Sequence, residues 1–268
     1  MLLPREIAEN YSLWANLTKE YIERNWDMPL YHILPYQHFI SLLQSNTLHF
    51  VNVMNSWGDE PYELFYIRPH YKLGDEKLLL DDHLGRYFAE CWSTNEDSDA
   101  MWRIYSGLNK DGVRIRTTLG KIVQLLYPVR NVDDFIPYIG FVTYYSKNDI
   151  QQWVLANSNV PFQDWKSNLM TSLFIKRDNF SHEKEFRVLL SEPSQNGNLT
   201  YKPISSYLSI HIVPIDFIDE ITLSPFVKDP QKTQQISEIN QYTNGKIILN
   251  QSTLYTNDIS GYTITIKK

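Results

Sequence analysis

Ser181-His182-Glu183-Lys184-Glu185-Phe186-Arg187-Val188-Leu189-Leu190 sets two carboxylates two residues apart, and an arginine two further on, at the mouth of an apolar run. In an extended chain successive side chains alternate, so Glu183, Glu185 and Arg187 share one face and Phe186, Val188 and Leu190 the other. The stretch therefore predicts a late β-strand with a charged trio beside an apolar face. Two readings follow. One is a solvated edge strand whose Glu–Arg pair faces water and contributes little. The other is a catalytic carboxylate held rigidly by the sheet.

Outward from this strand, 268 residues suffice for one large core or two small ones. The composition, 43% hydrophobic and 21% charged, is that of a soluble globular chain, apart from an aromatic excess of eighteen tyrosines and seven tryptophans. Such residues suit clefts that stack planar ligands and serve equally in cores and interfaces. A net charge of -6 argues against affinity built mainly on phosphate neutralisation, without excluding a local basic groove. With Cys91 as the single cysteine, no internal disulfide and no cysteine-based zinc site of usual ligand count can form. The start, Met1-Leu2-Leu3-Pro4-Arg5-Glu6, lacks a basic region followed by an apolar run, and no stretch of about 18 uncharged apolar residues occurs. A cytoplasmic protein of bacterial style, with no membrane partner, is the expectation.

Ile7, Tyr11, Trp14, Leu17 and Tyr21 form a helical stripe over residues 4–23. This opening helix is a candidate contact for an antitoxin, a chaperone or a second copy, or packs on its own domain. Leu30 to Leu34 reads as a strand stopped by Pro35, Tyr36 to Asn46 as a helix, and Leu48 to Val53 as a strand. Asn55 to Pro61 reads as a turn-rich loop with an exposed tryptophan, Trp57. Strands follow at Tyr87–Ser93 and Val113–Arg116, the latter after the turn Lys110-Asp111-Gly112, then a helix at Leu119–Leu126 and a strand at Phe141–Tyr145. Ser146 with Asp149 resembles a capping box, and Trp165–Lys176 reads as helix. Further strands are read at Leu208–Val213, Glu220–Leu223 and Lys246–Asn250, with Tyr262, Ile264 and Ile266 alternating as a closing edge strand. The sum is one α+β domain.

Three pieces then stand in order: His32 on the first strand, Ser93 with Thr94 at the end of a middle strand, and Glu185 at the start of a late one. That order resembles the ADP-ribosyltransferase superfamily, whose signature is Arg or His, then a Ser-Thr-Ser-like or Tyr element, then a late Glu, often as Glu/Gln-x-Glu. A second resemblance covers most of the chain. Leu30-Tyr31-His32, Asn55 to Glu63, Cys91-Trp92-Ser93, Met101-Trp102-Arg103-Ile104-Tyr105 and Glu183-Lys184-Glu185-Phe186-Arg187 are similar to the ordered motifs of a widespread bacterial domain-of-unknown-function family. That family looks like a divergent transferase relative, with many members among toxin and phage-defence genes. The chain departs from its pattern at Ile33 and Gly58, and a Ser rather than a Tyr accompanies its His.

The resemblance implies a split, mostly antiparallel sheet flanked by helices, with residues 1–28 as a helical extension and 29–268 as the catalytic domain. It implies mono-ADP-ribosyl transfer from NAD, as substrate, to a protein, RNA or DNA acceptor. Cleaving the nicotinamide–ribose bond builds oxocarbenium character, which a nearby carboxylate stabilises. Glu185 takes that role, His32 holds the adenosine-side ribose or a phosphate, and Ser93 orients Glu185. Tyr36 or Trp57 clamps the nicotinamide ring, and Glu183 occupies the position that activates the acceptor in arginine-directed relatives. Tyr31, Trp102, Tyr105 and Arg187 complete the candidate cofactor wall.

Each assignment has a plainer counterpart. His32 suits a satisfied core histidine, Ser93 a turn cap, and Met101, Trp102 and Tyr105 a core stripe at helical spacing. Arg187 paired with Glu185 or Asp59 would hold the site. Asp81-Asp82-His83 reads as a solvated turn rather than a metal site. Two further functions use the same residues: a nucleotide-sensing module without chemistry, and a metal-dependent nuclease built on Glu183, Glu185 and a nearby Asp. Arg114, Arg116, Lys121 and Arg130 form a basic strip that keeps a nucleic-acid acceptor open.

Overall fold

The structure is a computed structural model that describes residues 17–57, 60–66, 71–73, 76–78, 85–132, 135–192, 206–256 and 261–266. Helix α1 (Lys19–Arg24) starts at Thr18, whose side chain accepts from the Tyr21 amide. The expected helix over 4–23 is thus not continuous through Leu17 and Thr18, and its earlier part lies outside the described residues. Strand β1 (Pro29–Leu34) ends where Pro35 opens α2 (Tyr36–Ser45), and Asn46 in the left-handed region (φ 54°) turns the chain into β2 (Thr47–Asn52). Next come α3 (Val53–Ser56), the β3–β4 hairpin (Tyr71–Leu73, Glu76–Leu78) and β5 (Tyr87–Ser93). Then α4 (Asp99–Tyr105) leads through the expected turn, with Lys110 at φ 54°, into β6 (Val113–Thr118) and α5 (Leu119–Val132).

Strands β7 (Ile136–Phe141) and β8 (Thr143–Tyr145) precede α6 (Lys147–Ala156), which opens on the expected reciprocal box of Ser146 and Asp149. Helix α7 (Phe162–Ser172) stops before the predicted end at Lys176. The apolar 3/4 spacing of Leu169, Met170 and Leu173 runs directly into a period-two segment, and residues 175–177 form β9 (Ile175–Arg177), parallel to β8. A 3-10 turn (Asp178–Glu183) connects it to β10 (Glu185–Ser191). The chain finishes with β11 (Tyr207–His211), α8 (Pro214–Phe217), β12 (Glu220–Leu223), α9 (Gln231–Thr243) and β13 (Ile248–Gln251). The expected strand at Tyr262–Ile266 does not form: Tyr262, Ile264 and Ile266 are exposed and unpaired in any sheet.

Among the described residues nine strands make one sheet, antiparallel throughout except for the β12–β13 pair. Its defining feature is a fork at β5. One edge of β5 pairs with β10 along its whole length, from Glu185↔Ser93 to Ser191↔Tyr87. The other edge is divided: β2 faces Ala89 and Phe88, whereas β1 touches only at Tyr31↔Ser93 before continuing into β6, β12 and β13. The architecture is therefore α+β with a split, mainly antiparallel sheet.

Strand β10 is no edge strand. It lies between β5 and β7, and all seven of its residues are buried, because both sheet faces are covered there. Phe186, Val188 and Leu190 enter the main core with Phe88 and Trp92, while Leu189 joins a second cluster with Trp57, Tyr87 and residues of α7. Leu17 and Ile22 also belong to the main core, so residues 17–28 pack on the sheet. Gly120 records how closely: a Cβ there would sit 2.4 Å from the Trp26 indole.

Candidate active site

At the fork, the diverging strands leave a cavity of about 410 Å³, within the usual range for small-molecule sites. β1 supplies Tyr31 and His32, β5 supplies Cys91 and Ser93, and β10 supplies Glu185 as its first residue. Glu183, Lys176, Trp57 and Tyr105 close the remaining walls. Seven of the residues singled out from the sequence thus line one cavity: Tyr31, His32, Trp57, Ser93, Tyr105, Glu183 and Glu185.

Three do not. Tyr36 begins α2 and directs its hydroxyl to Glu238 Oε2 on α9, 2.8 Å away, so it cannot clamp a ring in the cavity. Trp102 is fully buried in a small core with Ile33 and Met101, its indole N–H donating to Asp97. The plainer, core reading holds for that side chain. Arg187 lies behind the wall with no exposed surface and acts through Glu185. Trp57, expected to be exposed, is buried with Arg187 4.1 Å over its ring.

The charges form one buried network. Arg187 Nε donates to Glu185 Oε1 (2.7 Å) and Nη2 to Glu185 Oε2 (3.1 Å) and Glu63 Oε2 (2.7 Å). Lys176 Nζ bridges Glu183 (2.6 Å), Glu63 (3.0 Å) and Glu185 (3.2 Å). Tyr105 donates to Glu183 Oε1 at 2.9 Å, and the Glu185 amide donates to Tyr144 Oη at 2.8 Å. Glu183 ends the 3-10 turn rather than sitting in β10, and Lys184 between the two glutamates is left-handed (φ 43°), a costly conformation for a non-glycine. That kink, not strand alternation, brings the two carboxylates onto one ammonium. Three carboxylates against two cations leave the wall with one net negative charge when all are ionised.

Burial pushes Glu185 up, but Arg187 and then Lys176 outweigh it and hold the carboxyl down at about 2. Burial likewise raises Glu183, and there Lys176 does not fully compensate. Ser93 was expected to orient the Glu185 carboxylate. Its Oγ instead donates to the Glu183 carbonyl (2.6 Å) and accepts from the Asn95 amide (2.9 Å). Because Ser93 is paired through its backbone with Glu185, its short side chain reaches the turn before β10. It is a turn cap that pins the entry to the strand.

His32 Nδ1 lies 2.8 Å from the Cys91 carbonyl, which fixes the proton there and leaves Nε2 as the acceptor in the neutral ring. Glu90 Oε1 is 3.4 Å from the same nitrogen, and burial raises Glu90 to about 7 despite His32.

Sequence reasoning missed Lys176 and gave Glu63 no role. A lysine inside Phe174-Ile175-Lys176 was the available signal, hidden by reading that segment as helix. Two members of the expected basic strip are already engaged: Arg114 is buried against Glu220 (3.1 Å), and Lys121 pairs with Asp219 (2.6 Å). The Arg130 side chain lies outside the described residues, as do Gly58, Asp59 and Asp81-Asp82-His83. Among the described residues no three His, Cys, Asp or Glu side chains are placed to hold a metal. The point between Glu63, Glu183 and Glu185 is filled by Lys176 Nζ, so a nuclease metal built there meets an ammonium. No helix among the described residues is long and apolar enough to cross a membrane.

The fold and site together define an α+β protein with a carboxylate-lined cavity at the fork of a split sheet. No protein-family model and no curated protein matches the chain. Among solved structures it is similar to Thermus sp. 2.9 DarT in complex with ADP-ribosylated ssDNA, with a TM-score of 0.38 and 11% identity over 85% of this chain and 95% of that one. The same protein in complex with NAD+ gives 0.36 and 11% over 84% and 96%, and with carba-NAD+ 0.35 and 11% over 84% and 95%.

Proposed function

We propose that this chain is an ADP-ribosyltransferase that uses NAD to modify a macromolecular acceptor, protein or nucleic acid, as a toxin or phage-defence effector. The observation that carries the reading is the convergence of His32, Ser93 and Glu185, from three distant strands, on one cavity. Glu185 stays ionised there, as charge stabilisation of an oxocarbenium-like ribose requires. Trp57 offers a ring for the nicotinamide, its orientation fixed by Arg187 against one face. His32 binds the ribose or phosphate of the adenosine half.

Incubation with NAD labelled in its adenosine half tests this: label is expected on a macromolecule in a cell lysate, and Glu185→Gln is expected to reduce it at least ~100-fold while circular dichroism is unchanged. Equal labelling by the folded variant would remove Glu185 from the mechanism. One observation favours a second reading, a nucleotide-sensing module. Arg187 holds both oxygens of Glu185, and Lys176 adds a third contact. Saturable NAD binding without turnover or labelling would select it.

A further inference from the structure

We propose that Lys176 is a positioning residue that keeps Glu183 in its charged form, so that Glu183 can take the acceptor's proton during transfer. The inference rests on the reading of the cavity given above and deepens it. The two glutamates are held differently. Arg187 spends its fork on Glu185, Glu63 and the Leu173 carbonyl, and so supplies the charge partner of Glu185. Glu183 is held by Lys176 Nζ at 2.6 Å on Oε2 and by the Tyr105 hydroxyl at 2.9 Å on Oε1.

The groups that face Glu183 from the surrounding elements are Lys176 on β9, Tyr105 on α4, Tyr144 on β8, and Glu185 and Arg187 on β10, with Glu63 across Lys176. Two buried carboxylates sharing a site repel, and one of them takes a proton unless a cation intervenes. Burial already pushes Glu183 upwards with Lys176 in place, and Glu185 adds to that push. Removing the ammonium therefore loads the proton onto Glu183, whereas Arg187 continues to keep Glu185 ionised.

The chemistry gives each carboxylate its own task. The bond between ribose C1′ and the nicotinamide nitrogen breaks, and nicotinamide leaves with the electron pair. The acceptor X–H forms the C1′–X bond and its proton passes to the Glu183 carboxylate, then to water. Glu185 stabilises the charge on the ribose throughout. A protonated Glu183 cannot accept that proton, so Lys176 governs transfer without touching the reacting atoms.

Infrared difference spectroscopy of the full chain at pH 7 tests the charge assignment without turnover. Lys176→Met is expected to show a protonated-carboxyl C=O stretch in addition to the one Glu90, raised to about 7, gives in every variant, and this added band is expected to be missing from the wild type and from Lys176→Met/Glu183→Gln. If Lys176→Met does not fold, Lys176→Gln, which keeps a donor near Glu183 and removes the charge, serves in its place. Absence of the added band in the folded variant overturns the proposal. In parallel, transfer of label from NAD is expected to fall by ~100-fold or more at pH 7 and to recover as pH rises, while Lys176→Arg stays within about tenfold of wild type. A pH profile of the folded variant that superimposes on the wild type's also overturns it. A wild type that labels nothing at any pH would defeat the transfer reading, and the spectrum would still decide whether Lys176 sets the charge of Glu183.

Discussion

Arg187 grips Glu185 from two residues further along the same strand, Nε to Oε1 at 2.7 Å and Nη2 to Oε2 at 3.1 Å, with no part of the arginine exposed. The strand period of two makes the pair possible, and burial makes its integrity matter. Removing one partner of a buried pair leaves an uncompensated charge and typically costs about 3–5 kcal/mol. Arg187→Met is expected to lower the urea midpoint accordingly, since Glu185 and Glu63 both lose their arginine. Arg187→Lys should fall between the two, keeping charge but losing the fork that also reaches the Leu173 carbonyl. An unchanged midpoint in Arg187→Met would show that the network adds nothing to stability.

The same pair shows what the sequence discloses. Glu185 and Arg187 on one face, and Phe186, Val188 and Leu190 on the other, are legible because strand alternation is local. So are β5 and β12, whose apolar runs are bounded by turn residues. The position of β10 in the middle of the sheet was not legible, because an ion pair at a strand's start looks the same whether water or Trp57 lies over it. Nor was the convergence on Lys176, which joins Glu63, distant in sequence, to two glutamates seven and nine residues on that the 3-10 turn and the left-handed Lys184 fold back onto it. Tyr36 and Trp102 misled because an aromatic near a motif is indistinguishable, in one dimension, from an aromatic facing the opposite side of its helix.

Glu90 and Glu185 act on stability in opposite directions along the pH axis. Burial raises Glu90 to about 7 from an ordinary 4.5, so the folded state binds its proton more tightly than the unfolded state does. That contribution is full below pH 4.5 and is lost as pH rises through 7. Glu185, held at about 2 against burial by Arg187 and Lys176, contributes above pH 4.5 and loses its contribution as pH falls towards 2. Glu90→Gln is therefore expected to match the wild type near pH 5 and to exceed it at pH 8, by ~3 kcal/mol at most at 1.36 kcal/mol per pH unit. Urea melts at the two pH values decide it; equal losses in both proteins would exclude Glu90 as the source.

Gly120 joins the described part of the amino-terminal segment to the core. Its amide donates to the Trp26 carbonyl at 2.8 Å, and a methyl group there would sit inside contact distance of the indole. Overpacking of this kind typically costs about 1–3 kcal/mol. Gly120→Ala is expected to lose that much in thermal or urea unfolding, and Gly120→Ala/Trp26→Ala to regain part of it. Additive losses in the double variant would mean that the two residues do not meet in solution.

Trp57 and Tyr36, both chosen from the sequence as ring clamps, now have opposite expectations. Trp57 lines the cavity and carries Arg187 on its ring at 4.1 Å, whereas Tyr36 lies outside and spends its hydroxyl on Glu238. Trp57→Ala removes both a stacking surface and a buried cation–π contact, so NAD affinity by calorimetry is expected to fall at least ~10-fold, with stability reduced by about 3–5 kcal/mol for the lost buried aromatic. Trp57→Phe keeps a ring and should recover most of the affinity. Tyr36→Phe deletes one hydroxyl–carboxylate bond, worth about 1–2 kcal/mol of stability, and should leave NAD affinity within twofold of wild type. If Tyr36→Phe weakened NAD binding while Trp57→Ala, shown to be folded, did not, the ligand would lie on the α2–α9 side of the molecule and the cavity at the fork would not be its site.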